Sequence, residues 1–309
     1  MAKLASHLGG DTHKFIRRDL ASARSENNFM PKIAVNTILA APSILATSIF
    51  LAPTHTVRHL DYTLVDEALV IIPVDNPAYA DAAADLYLKA SGFDVGPDFD
   101  NVSTLDMPEV VPEGTVNDAV NQGVSSLVST IEADYQAGDM ASGPLYVFGY
   151  SQSSVVMGMA EQQLAAYDNG ALTHGALDFV MVGDSASSQG GFLNAFLDEF
   201  PTSWQPYIID WFKGFGADEI LGQVTPNDLF PTQVYSLSGD GWSIYDNGLN
   251  SAGLFSDHLE YLGLTPQEIA TAGPPVVDGM TEYFTIQDSM VNSLEALLTQ
   301  LQIADSVLF

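Results

Sequence analysis

Leu145-Tyr146-Val147-Phe148-Gly149-Tyr150-Ser151-Gln152-Ser153 is the stretch whose reading decides the fold. Leu145 to Phe148 reads as a short buried strand. Ser153 to Tyr167 carries Val155, Val156, Met159, Ala160 and Leu164 at helical spacing. Between them lies a tight turn. A strand, a turn and a helix in this order hold a serine in a strained conformation, its hydroxyl exposed above a sheet. The residue two before the serine must be small so that strand and helix can approach, and Gly149 meets that need. The residue two after is usually glycine for the same reason, and here it is Ser153. Ser151 is therefore the candidate nucleophile. The plainer alternative is a serine capping a helix after a strand.

The flanking text repeats the same alternation. Ala68 to Ile72, ended by Pro73, Ala176 to Val182 and Thr232 to Leu237 read as further strands. Helical spacing runs over Ala78 to Gly92 and Thr115 to Ala137, near Pro266–Thr271 and over Thr285–Leu301. Asp94 to Pro112 reads as loop, with one strand near Val102. The strands are apolar throughout, which predicts a mainly parallel sheet covered on both faces by helices. With the serine turn, this is the α/β-hydrolase class.

A serine needs a base. The six histidines are His7, His13, His55, His59, His174 and His258. The first four precede or adjoin the first strand. His174 immediately precedes the third strand, at the end of the sheet away from Ser151, because parallel strands present their active residues at their C-terminal ends. His258 is left as the base by elimination. An acid must orient its imidazole, and the chain order in this class is Ser, acid, His. Asp240 in Ser238-Gly239-Asp240-Gly241, just past the fourth strand, is the best candidate; Asp184, Asp246 and Asp257 are rivals. Two backbone N–H groups must serve the oxyanion. Gln152, directly after the nucleophile, supplies one, and Val74 or Asp75 in the loop after the first strand supplies the other.

Composition narrows the function classes. The net charge is −30, with 9 Lys or Arg against 39 Asp or Glu, which argues against nucleic-acid binding. Cysteine is absent, so disulfides and thiolate metal sites are excluded. No His-Glu-x-x-His occurs, and Asp94, Asp98 and Asp100 lack calcium-loop spacing, so neither metal nor cofactor is expected. Six of the basic residues precede residue 33, and the apolar run Ile33 to Ala52 follows them. That order predicts a leader over residues 1–56, an export signal or a membrane anchor through residues 33–52, ahead of a hydrolase domain over 57–309. The protein is expected to be exported, secreted or envelope-associated.

Residues 189–230 form an insertion dense in aromatics. Phe192, Phe196, Trp204 and Trp211 are candidates for a lid or acyl-chain groove, against the plainer reading of helix packing on the sheet.

These residues resemble a known family. Gly149-Tyr150-Ser151-Gln152 looks like the cutinase serine turn. Gly239-Asp240 followed by His258-Leu259-Glu260-Tyr261 is similar to the cutinase Gly-Asp and His-Leu-x-Tyr pattern. The closer resemblance is to the PE-PPE domain of mycobacteria and related actinobacteria, a cutinase-like serine hydrolase whose serine turn allows Ser153. Val182-Gly183-Asp184 with Gly190-Gly191-Phe192-Leu193, and Thr225-Pro226-Asn227-Asp228 leading into Val234-Tyr235, resemble that family's segments in order. The resemblance covers roughly Leu69 to Tyr261. Two departures stand out. Pro73-Val74-Asp75-Asn76-Pro77 lacks the glycine and threonine common before Asn-Pro, and Gly239-Asp240-Gly241 is nearer the cutinase form than the usual Tyr-Asp-Gly. The resemblance implies cleavage or transfer of acyl esters, including lipids, with water or a sugar or lipid alcohol as acceptor. The alternative is a non-catalytic envelope binding protein on the same fold.

Overall fold

Seven strands hydrogen-bond into one sheet in the order β2-β1-β3-β4-β5-β7-β6 in a computed structural model of the chain. They are β1 (Glu67–Ile72), β2 (Val102–Asp106), β3 (Leu145–Tyr150), β4 (Leu177–Val182), β5 (Thr232–Leu237), β6 (Val276–Asp278) and β7 (Thr281–Ile286). Every pairing is parallel except β6 with β7. The structure describes residues 66–73, 76–107, 114–141, 143–246 and 253–305. The expected leader and anchor, Val74 and Asp75 lie outside them. Among the described residues no helix is long and apolar enough to cross a membrane.

Alternation along the strands divides the core in two. Leu69, Ile71, Val147, Phe179, Met181 and Val234 face one layer, built on α2 (Val116–Ala137) and α3 (Gln152–Ala166). Ala68, Val70, Ile72, Phe148, Val180, Val182 and Tyr235 face the other. That layer holds α1 (Pro77–Ala83), the π-helical turn Ala84–Leu88, α6 (Pro266–Ile269) and α7 (Ser293–Asp305). Both faces are covered, which is why these strands are apolar at nearly every position.

Local chemistry fixes the helix ends. Thr115 and Asp118 form a reciprocal capping box at the start of α2. Gly138, at φ 85°, ends that helix in the left-handed conformation that favours glycine.

One expectation needs correction. Residues 285–301 were expected to be one helix, but the strand β7 occupies Thr281–Ile286 and the helix starts only at Ser293. The hairpin of β6 and β7 was not foreseen. Its turn carries Asp278-Gly279, with Gly279 at φ 63°, a sequence signal for a tight hairpin. The aromatic insertion contains two short helices, α4 (Phe192–Asp198) and α5 (Gln205–Lys213).

Candidate active site

Ser151 joins β3 to α3 with φ 61° and ψ −121°. A side chain adopts this conformation only under strain, which the surroundings must hold in place. They do so with three bonds. Ser151 N–H donates to Val182 O (2.9 Å), Ser154 N–H donates to Ser151 O (3.0 Å), and Ser154 Oγ donates to Gly149 O (2.9 Å). A Cβ on Gly149 would lie 2.3 Å from Met157 Sδ and 3.1 Å from Ser153 Cβ. Gly149 therefore accommodates a Ser153 that is larger than the usual glycine.

The candidate base arrives on a 3-10 turn, Asp257–Leu259, in the segment after β5. His258 Nε2 is 2.8 Å from Ser151 Oγ, and His258 Nδ1 is 2.9 Å from Asp240 Oδ2. The order nucleophile–base–acid is that of a catalytic triad. Asp240 is fully buried and His258 nearly so. Asp240 Oδ2 also accepts from Tyr261 OH (2.7 Å) and Ser243 Oγ (2.9 Å), while Oδ1 accepts from Trp242 N–H (2.9 Å). Burial by itself raises this carboxyl. The charge of His258 and the hydrogen bonds from His258, Tyr261 and Trp242 outweigh it and hold Asp240 below its ordinary value. Tyr261 is pushed far up by burial and then by the charge of Asp240, so it remains a neutral donor.

Two further contacts aim the imidazole. Tyr150, next to the nucleophile in sequence, donates its phenol to the backbone carbonyl of His258. Gln300 of α7 donates to Tyr150 OH (3.1 Å) and accepts from Leu262 N–H (2.9 Å). The end of β4 also bears on the ring. Gly183 sits at φ 61°, and a Cβ there would lie 3.1 Å from His258 Cε1 and from Tyr261 Cε2.

Residues 97–299 match the PE-PPE domain, more than half of the chain. The chain belongs to the PE-PPE domain family. The PPE family protein PPE28 of Mycobacterium tuberculosis (strain ATCC 25618 / H37Rv) is 29% identical over 61% of this chain and 28% of its own. The protein named Esterase PE16 of the same strain is 25% identical over 52% of this chain and 29% of its own. This PE-PPE chain thus spans under a third of the length of the curated relatives it matches. Among solved structures, a cutinase-like protein from Cryptococcus sp. aligns at 13% identity and TM-score 0.32, covering 64% of this chain and 95% of that one. A thermophilic esterase from Thermogutta terrifontis aligns at 14% identity and TM-score 0.38, covering 80% and 85%.

In this PE-PPE domain the rival acids stand elsewhere. Asp184 is buried, and its two oxygens accept from Ala186 N–H (2.9 Å) and Thr225 Oγ1 (2.7 Å). Burial pushes it up to about 6 against those two bonds. It braces the segment after β4 rather than the imidazole. Asp246 is exposed, and Asp257 accepts from Ser256 Oγ. His174 is exposed and meets the carbonyl of Leu229, as its position before β4 predicts. Gln152 is the first residue of α3, directly after the nucleophile. Among the described residues no group of three or more His, Asp or Glu side chains could hold a metal ion.

The four aromatic candidates divide into two environments. Phe192 and Phe196 are buried and stacked, with ring centroids 5.0 Å apart. Phe192 meets Trp242 at 5.0 Å, and Phe196 meets Phe212 at 5.9 Å. They are the core of the insertion. Trp204 and Trp211 are exposed. Sequence reasoning did not single out Tyr150, Gly183, Ser243 or Gln300. Tyr261 stood in the quoted motif without a role, yet its place three residues after His258 on consecutive 3-10 turns was the available signal.

Proposed function

We propose that this PE-PPE domain is a serine hydrolase of carboxylic esters, working through an acyl-enzyme on Ser151. The observation that carries the proposal is the 2.8 Å contact between Ser151 Oγ and His258 Nε2, backed by the buried Asp240 2.9 Å from His258 Nδ1. The relative named as an esterase supports the same reaction class.

In this reading His258 accepts the Ser151 proton as Oγ attacks the ester carbonyl. Asp240 holds the tautomer with the proton on Nδ1 and stabilises the imidazolium that forms. The negative oxygen of the tetrahedral intermediate is received by the Gln152 N–H at the start of α3, with a second N–H from the loop holding Val74 and Asp75. Collapse expels the alcohol, which takes its proton from His258, and leaves the acyl group on Oγ. Water, or a sugar or lipid alcohol, then gives its proton to His258 and attacks the acyl carbonyl; the bond to Oγ breaks, and Ser151 takes that proton back from His258. Export, expected from the order of basic and apolar residues in 1–56, belongs to the same proposal; fractionating cells and medium tests it.

The decisive experiment follows hydrolysis of nitrophenyl esters of increasing chain length by the wild type and Ser151→Ala. Activity that disappears in the variant, together with organophosphonate labelling of Ser151, supports the serine mechanism. A folded wild type that neither hydrolyses nor takes the label overturns it in favour of a binding protein. Capture of the acyl group by added trehalose or glycerol separates transfer from hydrolysis.

A further inference from the structure

Helix α5 presents two apolar surfaces, and only one of them is used inside the molecule. Ile208 and Phe212 are buried. Tyr207 and Trp211, four residues apart, share one side of the helix, with Trp204 at its N-cap and Phe215 two residues past its end. Trp204, Tyr207, Trp211 and Phe215 are 43%, 76%, 40% and 44% exposed. The stripe adjoins the buried pair; the exposed Lys213 falls on the far side of the helix, and the exposed Asp210 borders the stripe beside Tyr207.

A chain of aromatic contacts through the core of the insertion links this stripe to the candidate active site. Ring centroids run from His258 to Trp242 (6.2 Å), to Phe192 (5.0 Å), to Phe196 (5.0 Å) and to Phe212 (5.9 Å). From Phe212 they continue to Trp211 (5.3 Å) and to Phe215 (5.0 Å). An unbroken aromatic path therefore joins the base to the outer surface.

We infer that the stripe Trp204–Tyr207–Trp211–Phe215 docks the domain on an electrically neutral lipid–water interface, from which the ester substrate is drawn. The chemical class of the occupant follows from two features. Tryptophan and tyrosine rings, apolar with one polar handle, favour the boundary between acyl chains and water. A chain of net charge −30 is repelled by anionic headgroups, and the stripe itself carries no charge. A nine-residue helix of this kind lies in the interface and does not span it. The inference rests on the esterase reading for the identity of the substrate, but the docking itself can be tested without catalysis.

The test uses the full-length protein with unilamellar vesicles of phosphatidylcholine, with and without phosphatidylglycerol. Two of the three tryptophans lie in the stripe, so their emission reports docking directly. Wild type is expected to float with phosphatidylcholine vesicles and to shift its emission to the blue, and added phosphatidylglycerol is expected to weaken this. The double variant Tyr207→Ser/Phe215→Ser keeps both reporters. Its emission shift on vesicles is expected to be lost, and its hydrolysis of a vesicle-borne long-chain ester to fall at least tenfold. Its hydrolysis of a soluble short-chain nitrophenyl ester should stay at the wild-type rate. Equal blue shifts of variant and wild type, a readout local to the stripe that an anchor in residues 33–52 does not supply, overturn the inference, as does preference for the anionic vesicles. A wild-type dimer that the double variant converts to monomer, with no vesicle binding by either, assigns the stripe to a second copy of the chain and also overturns it. Docking without any ester hydrolysis leaves the surface standing and removes the esterase reading instead.

Discussion

Tyr261 OH and His258 Nδ1 converge on a single oxygen, Asp240 Oδ2, at 2.7 Å and 2.9 Å. The phenol accepts in turn from Leu237 N–H at 2.8 Å, so the last residue of β5 helps to aim it. A hydrogen bond to a charged group contributes about 1.5–3 kcal/mol, and 1.4 kcal/mol is roughly a tenfold rate. Tyr261→Phe should lower kcat about tenfold with little change in KM. Because this donor helps to hold the Asp240 carboxyl low, its loss lets the carboxyl rise, and activity should fail at a less acid pH than in wild type. A pH–rate profile of both proteins checks this; superimposable profiles would assign Tyr261 to packing alone.

Ser151 holds its strained backbone at a cost that glycine would not bear. Residues in such conformations cost on the order of 1–3 kcal/mol, and the extra freedom of glycine in the unfolded chain returns about 0.5–1 kcal/mol of that. Ser151→Gly should therefore raise Tm by about 2–8 °C in a domain of this size while abolishing hydrolysis. Differential scanning calorimetry alongside the ester assay reads both. A lower Tm in the variant would mean that the turn is not strained.

Gly183 leaves no room for a methyl group beside the imidazole. A Cβ at 3.1 Å from both His258 Cε1 and Tyr261 Cε2 must push one of them aside, and φ 61° disfavours any side chain. Gly183→Ala should keep the fold, lose about 1–2 kcal/mol of stability and lower kcat more than tenfold. Reaction of Ser151 with an organophosphonate should slow in parallel. Unchanged labelling with reduced stability would show that the ring yields without losing its aim.

Glu161 is fully buried in α3, with neither carboxyl oxygen hydrogen-bonded among the described residues. Burial, then the charges of Asp184 and Asp228, raise it well above its ordinary value. The unfolded chain releases this proton near pH 4.5 while the folded chain retains it. Stability present below that pH is therefore lost as pH rises through the folded value. Asp184, raised to about 6, adds a loss between its ordinary value of 3.8 and about 6. Glu161→Met should gain about 1–3 kcal/mol over wild type at pH 7.5 and much less at pH 4. Urea unfolding at the two pH values measures the difference, and a pH-independent gain would refute titration of Glu161.

Legibility in the sequence followed the number of faces a segment buries. β1, β3, β4 and β5 lie inside the sheet, read as short apolar runs, and stand close to where the runs placed them. That Ser151, Asp240 and His258 come together was reachable because histidine is scarce and the chain order in this fold class is fixed. β7 mixes buried and half-buried positions, as Thr281-Glu282-Tyr283-Phe284-Thr285-Ile286 shows. No glycine or proline separates it from α7, so its end merged with the helical spacing that follows. Support for the imidazole was harder to see. Tyr150, Gly183 and Gln300 act through contacts between distant parts of the chain, and Gln300 lies 150 residues from Tyr150. No local periodicity records such a meeting.

Helix α7 fastens the parts that the sheet brings near one another. Its Gln300 holds Leu262 N–H and Tyr150 OH, and its Ile303 carbonyl accepts from Asn76 Nδ2 in the loop after β1. Chain synthesis runs from the N-terminus. Every strand of the sheet, the serine turn and the base are therefore made before the helix that latches them. Gln300 and Ile303 thus tie Leu262, Tyr150 and Asn76 together from one helix, so truncating or unwinding α7 removes the brace behind His258 without touching the sheet.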